Sequence, residues 1–188
     1  MPRPIRIKKE DILDSAYDIV KLKGIQFVNA RAIAKKLNSS VQPIFSKFKN
    51  MEELKKELIE KALQTYREYI NSNLNCKYPY GQMAKNYIRF AKEETNLFNM
   101  LFANQTNLTL DSFACSDCSF EKILKCAKDS TKLSGTYVVD FHLKMWIFVH
   151  GIATLVANNT CKFTDEQINE LLSSQYKALI QSEKNIKK

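Results

Sequence analysis

The sequence predicts an all-α protein in two parts, an N-terminal head of three helices and a C-terminal domain of antiparallel helices. Three observations predict it. Only four Gly and four Pro occur in 188 residues, so little interrupts a helix. Between them, apolar residues recur three and four positions apart over long stretches, the spacing of one helix face. Asn50-Met51-Glu52-Glu53 and Thr164-Asp165-Glu166-Gln167 have the spacing of a capping box at a helix start. With 45% hydrophobic and 26% charged residues, the composition is that of an ordinary soluble globular protein, long enough for one compact domain or two small ones.

In chain order, Pro2 to Ile7 is a short basic arm, either a frayed terminus or a segment reaching toward phosphate or the minor groove. A first helix from Lys8 to Lys23 carries an apolar stripe of Ile12, Leu13, Ala16, Ile19 and Val20. Lys21 and Lys23 complement its dipole, and Gly24 is the expected left-handed stop. Ile25, Phe27 and Val28 re-enter the core. Ala30, Ile33, Ala34 and Leu37 form the apolar face of a second, short helix. Asn38-Ser39-Ser40 then breaks the pattern with turn formers, and Ser40 is the expected N-cap of a third helix. That helix, Val41 to Phe48, has Ile44, Phe45 and Phe48 on its buried side. Pro43 falls in its first turn, where the missing N–H was unpaired anyway.

Two short helices joined by a three- or four-residue turn form a helix-turn-helix, which places its second helix in the DNA major groove. Val41 and Gln42 lie at the end that meets base edges. Gln pairs with adenine N6 and N7, and Val contacts a thymine methyl. Lys47 and Lys49 suit phosphate contacts, which position a protein without reading sequence. Charge supports an anionic partner. Residues 1–55 hold twelve Lys/Arg against six Asp/Glu, a local +6 of the chain's +9.

Beyond Asn50 a fourth helix carries Met51, Leu54, Leu58, Ala62, Tyr66 and Tyr69. Asn71 to Lys77 is a polar break, and Pro79 opens a helix with Met83, Tyr87, Ile88, Phe90 and Ala91. Asn96 caps a short helix with Leu97, Phe98, Leu101 and Phe102. Asn104 to Asp117 is polar and irregular. Phe120, Ile123, Leu124 and Ala127 resume a helix that ends by Gly135. Tyr137 to Asn158 is apolar nearly all round, which implies burial on more than one side, and close helix–helix approach would explain Gly151 within it. Asp140, His142, Lys144 and His150 interrupt this run, so a buried or interface helix fits better than a membrane span. A last helix follows Thr164 with Ile168, Leu171, Leu172, Tyr176, Leu179 and Ile180, and the tail from Lys184 frays.

These residues resemble the tetracycline-repressor (TetR) family of transcriptional regulators. The resemblance covers roughly residues 9–56. It rests on the first helix ending in Gly24, Arg31-Ala32-Ile33-Ala34, the turn with Ser40, Ile44-Phe45, Phe48, and Glu52 with Leu54. Trp146-Ile147-Phe148-Val149-His150-Gly151 resembles the Trp…His-Gly helix of one subgroup. The resemblance implies a helix-turn-helix DNA-binding domain over residues 1–50 and an effector-binding and dimerisation domain over 51–188. It implies a homodimeric repressor on a palindromic, double-stranded DNA operator, released by a small effector and needing no cofactor. DNA contacts would fall to Arg31, Ser39, Ser40, Val41, Gln42, Pro43, Phe45, Lys47, Lys49 and Asn50. Met83, Tyr87, Phe98, Phe102, Phe120, His142 and Trp146 would face the effector. Val149, Gly151, Ala153, Leu172, Tyr176 and Leu179 would form the dimer interface. Two positions depart from the family. Phe45 stands where Tyr is common and Met51 where Lys is common, which removes two phosphate contacts that Lys47 and Lys49 would have to replace.

Two other classes remain open at this point. One is a helical protein-interaction module whose head binds DNA weakly. The other is a thiol or metal sensor using Cys115 and Cys118, although a lone C-x-x-C lacks a second ligand pair. Five Cys without an apolar N-terminal signal suggest reduced thiols in the cytoplasm. There is no nucleophile–base pairing, phosphate-cradling Gly loop or paired-carboxylate motif, so an enzyme is not expected.

Overall fold

A computed structural model of the chain describes residues 7–103 and 120–186. The irregular stretch with Cys115 and Cys118, the arm before Ile7 and the last two residues lie outside the described residues. Among those described there are helices and no strands. The helices are α1 (Lys9–Lys23), α2 (Ala30–Lys36), α3 (Gln42–Lys47), α4 (Met51–Ile70), α5 (Pro79–Glu93), α6 (Thr95–Phe98, continued by a wider turn over Asn99–Ala103), α7 (Phe120–Thr131), α8 (Thr136–Ala157) and α9 (Asp165–Ile186). They divide into two compact units, Met1–Tyr66 with Glu94–Gln105, and Arg67–Glu93 with Thr106–Lys188.

In the first unit, α1 packs against α2, α3 and α6. Ile12, Ala16, Val20, Ile33, Ile44, Phe48, Leu54 and Leu58 are buried. Polar contacts fix α1 along α4: Tyr17 Oη and Thr65 Oγ1 are 2.6 Å apart, and Lys9 pairs with Glu57 and Lys61 with Asp14. The end of α1 is tied to the later segment, where Lys21 Nζ lies 2.6 Å from Glu94 and Asn96 donates to the Lys21 carbonyl. The Glu94 carboxylate holds the Lys21 ammonium above its usual pKa. Asn96 therefore acts from inside α6, and Glu94, not Asn96, occupies the N-cap.

Several local expectations change. Gly24 has positive φ, but with extended ψ (99°, 163°) in place of the left-handed helical well, because a 3-10 turn over Ile25–Phe27 follows at once. Phe27 is exposed and does not return to the core. At Asn50, the side chain accepts from Glu53 N at 2.9 Å, while the Glu53 carboxylate accepts from Lys49 N, one residue earlier than in a capping box. Thr164 and Gln167 make the full reciprocal box.

In the second unit α8 is central, packed on α5, α7 and α9. Short connections make α7–α8 and α8–α9 antiparallel pairs. By contrast, α5 and α8 run in the same direction, since Tyr80 meets His142 and Tyr87 meets His150. α8 is long and apolar enough to cross a membrane by length and composition, with mean hydropathy 1.3. Its Val138, Phe141, Met145, Val149, Ile152 and Ala153 are instead buried within the unit. Nothing lies within 4 Å of a Cβ placed on Gly151, so among the described residues no helix makes the close approach expected there.

Asn86 is the buried polar link between α5 and the end of α4. Its amide donates to the Ile70 carbonyl (3.2 Å) and the Ser72 carbonyl (2.7 Å), and its Oδ1 accepts from Gln82. Asn86→Leu would leave two acceptors without their donor. We expect a loss of about 2–4 kcal/mol, since each orphaned buried group costs ~1–3 kcal/mol. Urea unfolding would show a lower midpoint with an unchanged slope, and an unchanged midpoint would refute the role.

Candidate functional site

The turn between α2 and α3 is built by backbone chemistry. Asn29 caps α2 by accepting from Ala32 N at 2.9 Å. At the other end Asn38 takes a left-handed conformation (φ 50°), Ser39 N donates to the Ala34 carbonyl and Asn38 N to the Lys35 carbonyl. This is the Schellman arrangement, with Asn in the position usually held by Gly. The chain then turns directly into α3. Val41, not Ser40, is the N-cap residue and makes no side-chain cap, while Pro43 sits in the first turn. Ser39 Oγ donates to the Ser40 carbonyl. Neither serine is therefore spent on capping α3.

α3 exposes one uncharged face. Ile44 and Phe48 are buried, but Phe45 is 49% exposed, which corrects its expected place on the inner side. Ile44 and Phe48 are four apart and already fill the inward stripe, so Phe45 at 100° from Ile44 must point outward. Val41, 38% exposed, lies one turn before Phe45, and exposed Gln42 lies beside it. Exposed cations lie on the same elements: Arg31 and Lys35 on α2, Lys47 at the end of α3 and Lys49 just after it. Asn50 is exposed, yet its Oδ1 is committed to capping α4. Sequence reasoning missed one feature. Ile7, Lys8, Lys9, Glu10 and Lys47 line a cleft of about 330 Å³, which brings the start of α1 to the end of α3. The basic arm leading to Lys8 was the available signal, but its pairing with Lys47 is set by tertiary packing.

The expected effector residues fall into separate clusters. Phe98 and Phe102 belong to the first unit, where the Phe102 ring makes a T-shaped contact with Tyr66 and a tilted one with Phe98. Met83, Tyr87, Phe120, His142 and Trp146 belong to the second. There Tyr80 Oη shares a 3.0 Å hydrogen bond with His142 Nδ1, and Phe120 lies against the same imidazole. Two turns further along, Tyr87 Oη and His150 Nδ1 are 2.9 Å apart, and the Trp146 ring stacks on His150 at 4.9 Å. Burial raises the pKa of Tyr80, so its phenol stays protonated, and burial lowers the pKa of His150.

Of the expected dimer residues, Val149, Ala153 and Leu172 are buried within the chain itself. Tyr176 is turned inward too, against Phe141 and Ser130. The open apolar side of α8 is instead Ile147, Gly151 and Leu155, spaced four apart, with Leu171 exposed on α9. Leu179 is partly exposed.

The arrangement defines a class of fold: an all-helical chain with an N-terminal helix-turn-helix and a longer helical second unit. Two solved structures share it. One is a protein from Vibrio parahaemolyticus assigned to the TetR family of transcriptional regulators. It is 15% identical, with a TM-score of 0.65 over 92% of this chain and 98% of that one. The other is the multidrug binding protein EbrR, complexed with imidazole, at 14% identity and a TM-score of 0.55 over 93% and 94% of the two chains. At these identities the likeness is one of fold. No protein-family model and no curated protein matches the sequence.

The pKa of His150 sits below its ordinary 6.5 because burial disfavours the imidazolium. The unfolded chain therefore binds this proton first as pH falls, and stability drops below about pH 6.5 while being complete above it. We expect His150→Gln to flatten the dependence of Tm on pH between 7 and 5. Parallel curves for the two proteins would show that His150 does not contribute.

Proposed function

We propose that the chain is a DNA-binding transcriptional regulator that sits on a palindromic operator as a homodimer and is released by a small effector, acting as a repressor in the cytoplasm. The observation that carries this reading is the exposed face of α3. Val41, Gln42 and Phe45 point out of a rigid head, and exposed Arg31, Lys35, Lys47 and Lys49 lie on or just after the same helices. In a major groove the uncharged face meets base edges and the cations meet phosphates. Ser39 and Ser40 are exposed enough to join the backbone contacts, and Pro43 fixes the first turn of α3. Phe45 supplies no hydroxyl for phosphate, and Lys8 and Lys47, which line one cleft, offer replacement ammonium groups.

Exposed Ile147, Gly151, Leu155 and Leu171 support the homodimer, because a second copy would remove this apolar surface from water. The ring cluster of Tyr87, Trp146 and His150 supports an aromatic effector site, with Met83 and His142 on the same two helices and Phe120 at the start of α7. Likeness of fold to EbrR, whose structure holds imidazole, is in keeping with this.

Selection from random DNA at low salt should enrich a two-fold site whose half-sites lie roughly 34–36 Å apart or wider. Gln42→Ala should change the preferred base at one position of each half-site at a cost of about 1–3 kcal/mol. Lys49→Ala should weaken all sequences alike and reduce the salt slope by about one. A folded dimer that enriches no site would sink the reading. Separately, Ile147→Glu should convert dimer to monomer in sedimentation without loss of helical circular dichroism, and a persisting dimer would place the interface elsewhere.

A further inference from the structure

We infer that Val41 and Phe45 read the 5-methyl groups of thymine, so that each half-site presents at least two thymine methyls to α3 beside the adenine taken by Gln42. The inference rests on the DNA-binding reading above and gives it a base chemistry. Val41 and Phe45 are four residues apart on one outward face, 38% and 49% exposed. Gln42 is exposed on the adjoining side of α3, about 60° round the helix from Phe45, so two apolar groups and an amide share its outside. Each of these groups has a distinct match in the major groove. An amide side chain fits the N6 donor and N7 acceptor of adenine, and an aliphatic or aromatic surface fits the one apolar feature there, the thymine methyl. A phosphate gives neither Val nor Phe anything to bind. The exposed Arg31, Lys35, Lys47 and Lys49 make a duplex the complementary occupant of the whole surface.

The fold turns position 45 outward but does not require a phenylalanine there. Ile44 and Phe48 anchor α3, and Ser46, next to Phe45, satisfies its hydroxyl on the Pro43 carbonyl at 2.8 Å. A polar residue at 45 would leave the head equally well packed. A half-exposed phenylalanine therefore fits a recognition role better than a packing role.

The test uses the full-length chain and the duplex selected from random DNA. Each thymine of the half-site is replaced singly by deoxyuridine, which removes only the methyl group. We expect affinity to fall about fourfold at two positions per half-site, the worth of one buried methyl. Phe45→Ala should lose a comparable factor on the thymine duplex and little more on the deoxyuridine duplex, so that the two losses are not additive. Val41→Ala should behave in the same way at the other position. Phe45→Ala leaves the buried anchors in place, and circular dichroism checks that the head stays folded. If deoxyuridine has no effect at any position, or the losses simply add, methyl reading is overturned while the regulator stands. If the folded chain selects no DNA at all, the underlying reading falls with it.

Discussion

A helix of six residues has no stability of its own in water, because nucleation costs more than so few hydrogen bonds return. α3 is that short, and the geometry of the head depends on how it is held. Ile44 and Phe48 hold it. Both are buried, one turn apart, where α3 packs against α1. Burying each contributes roughly 1.5–3 kcal/mol, against at most about 1 kcal/mol for an exposed ion pair such as Lys61–Asp14. Apolar burial therefore sets where α3 lies, and the ion pairs along α1 and α4 refine its register. The Schellman turn at Asn38 completes the constraint by ending α2 sharply enough for α3 to begin within a few residues. Lys9 joins the two roles: its ammonium pairs with Glu57 and lies 5.1 Å from the centre of the Phe48 ring.

The second unit solves a different problem. Its central helix α8 is apolar on most sides but carries two histidines, and a buried imidazole needs a partner. The neighbouring α5 supplies one phenol for each, Tyr80 for His142 and Tyr87 for His150. Tyrosines seven apart meet histidines eight apart only if the two helices run in the same direction, so these pairs specify orientation as well as contact. Asn86, on the same helix α5, satisfies the carbonyls where α4 ends.

Legibility in the sequence followed the range of the interaction. Thr164 with Gln167 and the Asn38 turn are local chemistry, readable from side chains a few positions apart. The helix-turn-helix was legible for the same reason. Phe45 was not, because six residues give fewer than two turns, and three apolar positions in five do not reveal which face is inward. Phe27 failed similarly in a three-residue turn. For the opposite cause, the buried side of α8 was not legible either. A helix that is apolar nearly all round carries no periodic sign of its buried side, so Val149 and Ala153 could not be told from Ile147 and Leu155. The approach of Lys47 to Lys8 and Lys9 and the tie between Lys21 and Glu94 join positions tens of residues apart, and no pattern in one sequence encodes them.

Under the proposed DNA-binding function, the distribution of charge in the head has a physical reason. The chain carries a net +9, yet no cation lies on the outward face formed by Val41, Gln42 and Phe45. A lysine there would attract phosphate on any sequence, raising affinity for every site equally and discriminating among none. Apolar groups and an amide gain little from a phosphate, and they gain differently from different bases. Specificity is a difference of affinities, so it is served by groups that are indifferent to the backbone. Placing the cations on α2, at the end of α3 and at the start of α1 separates the two tasks. On that reading attraction would come from the rim and discrimination from the centre, with the buried Ile44 beneath that centre holding the two in fixed relation.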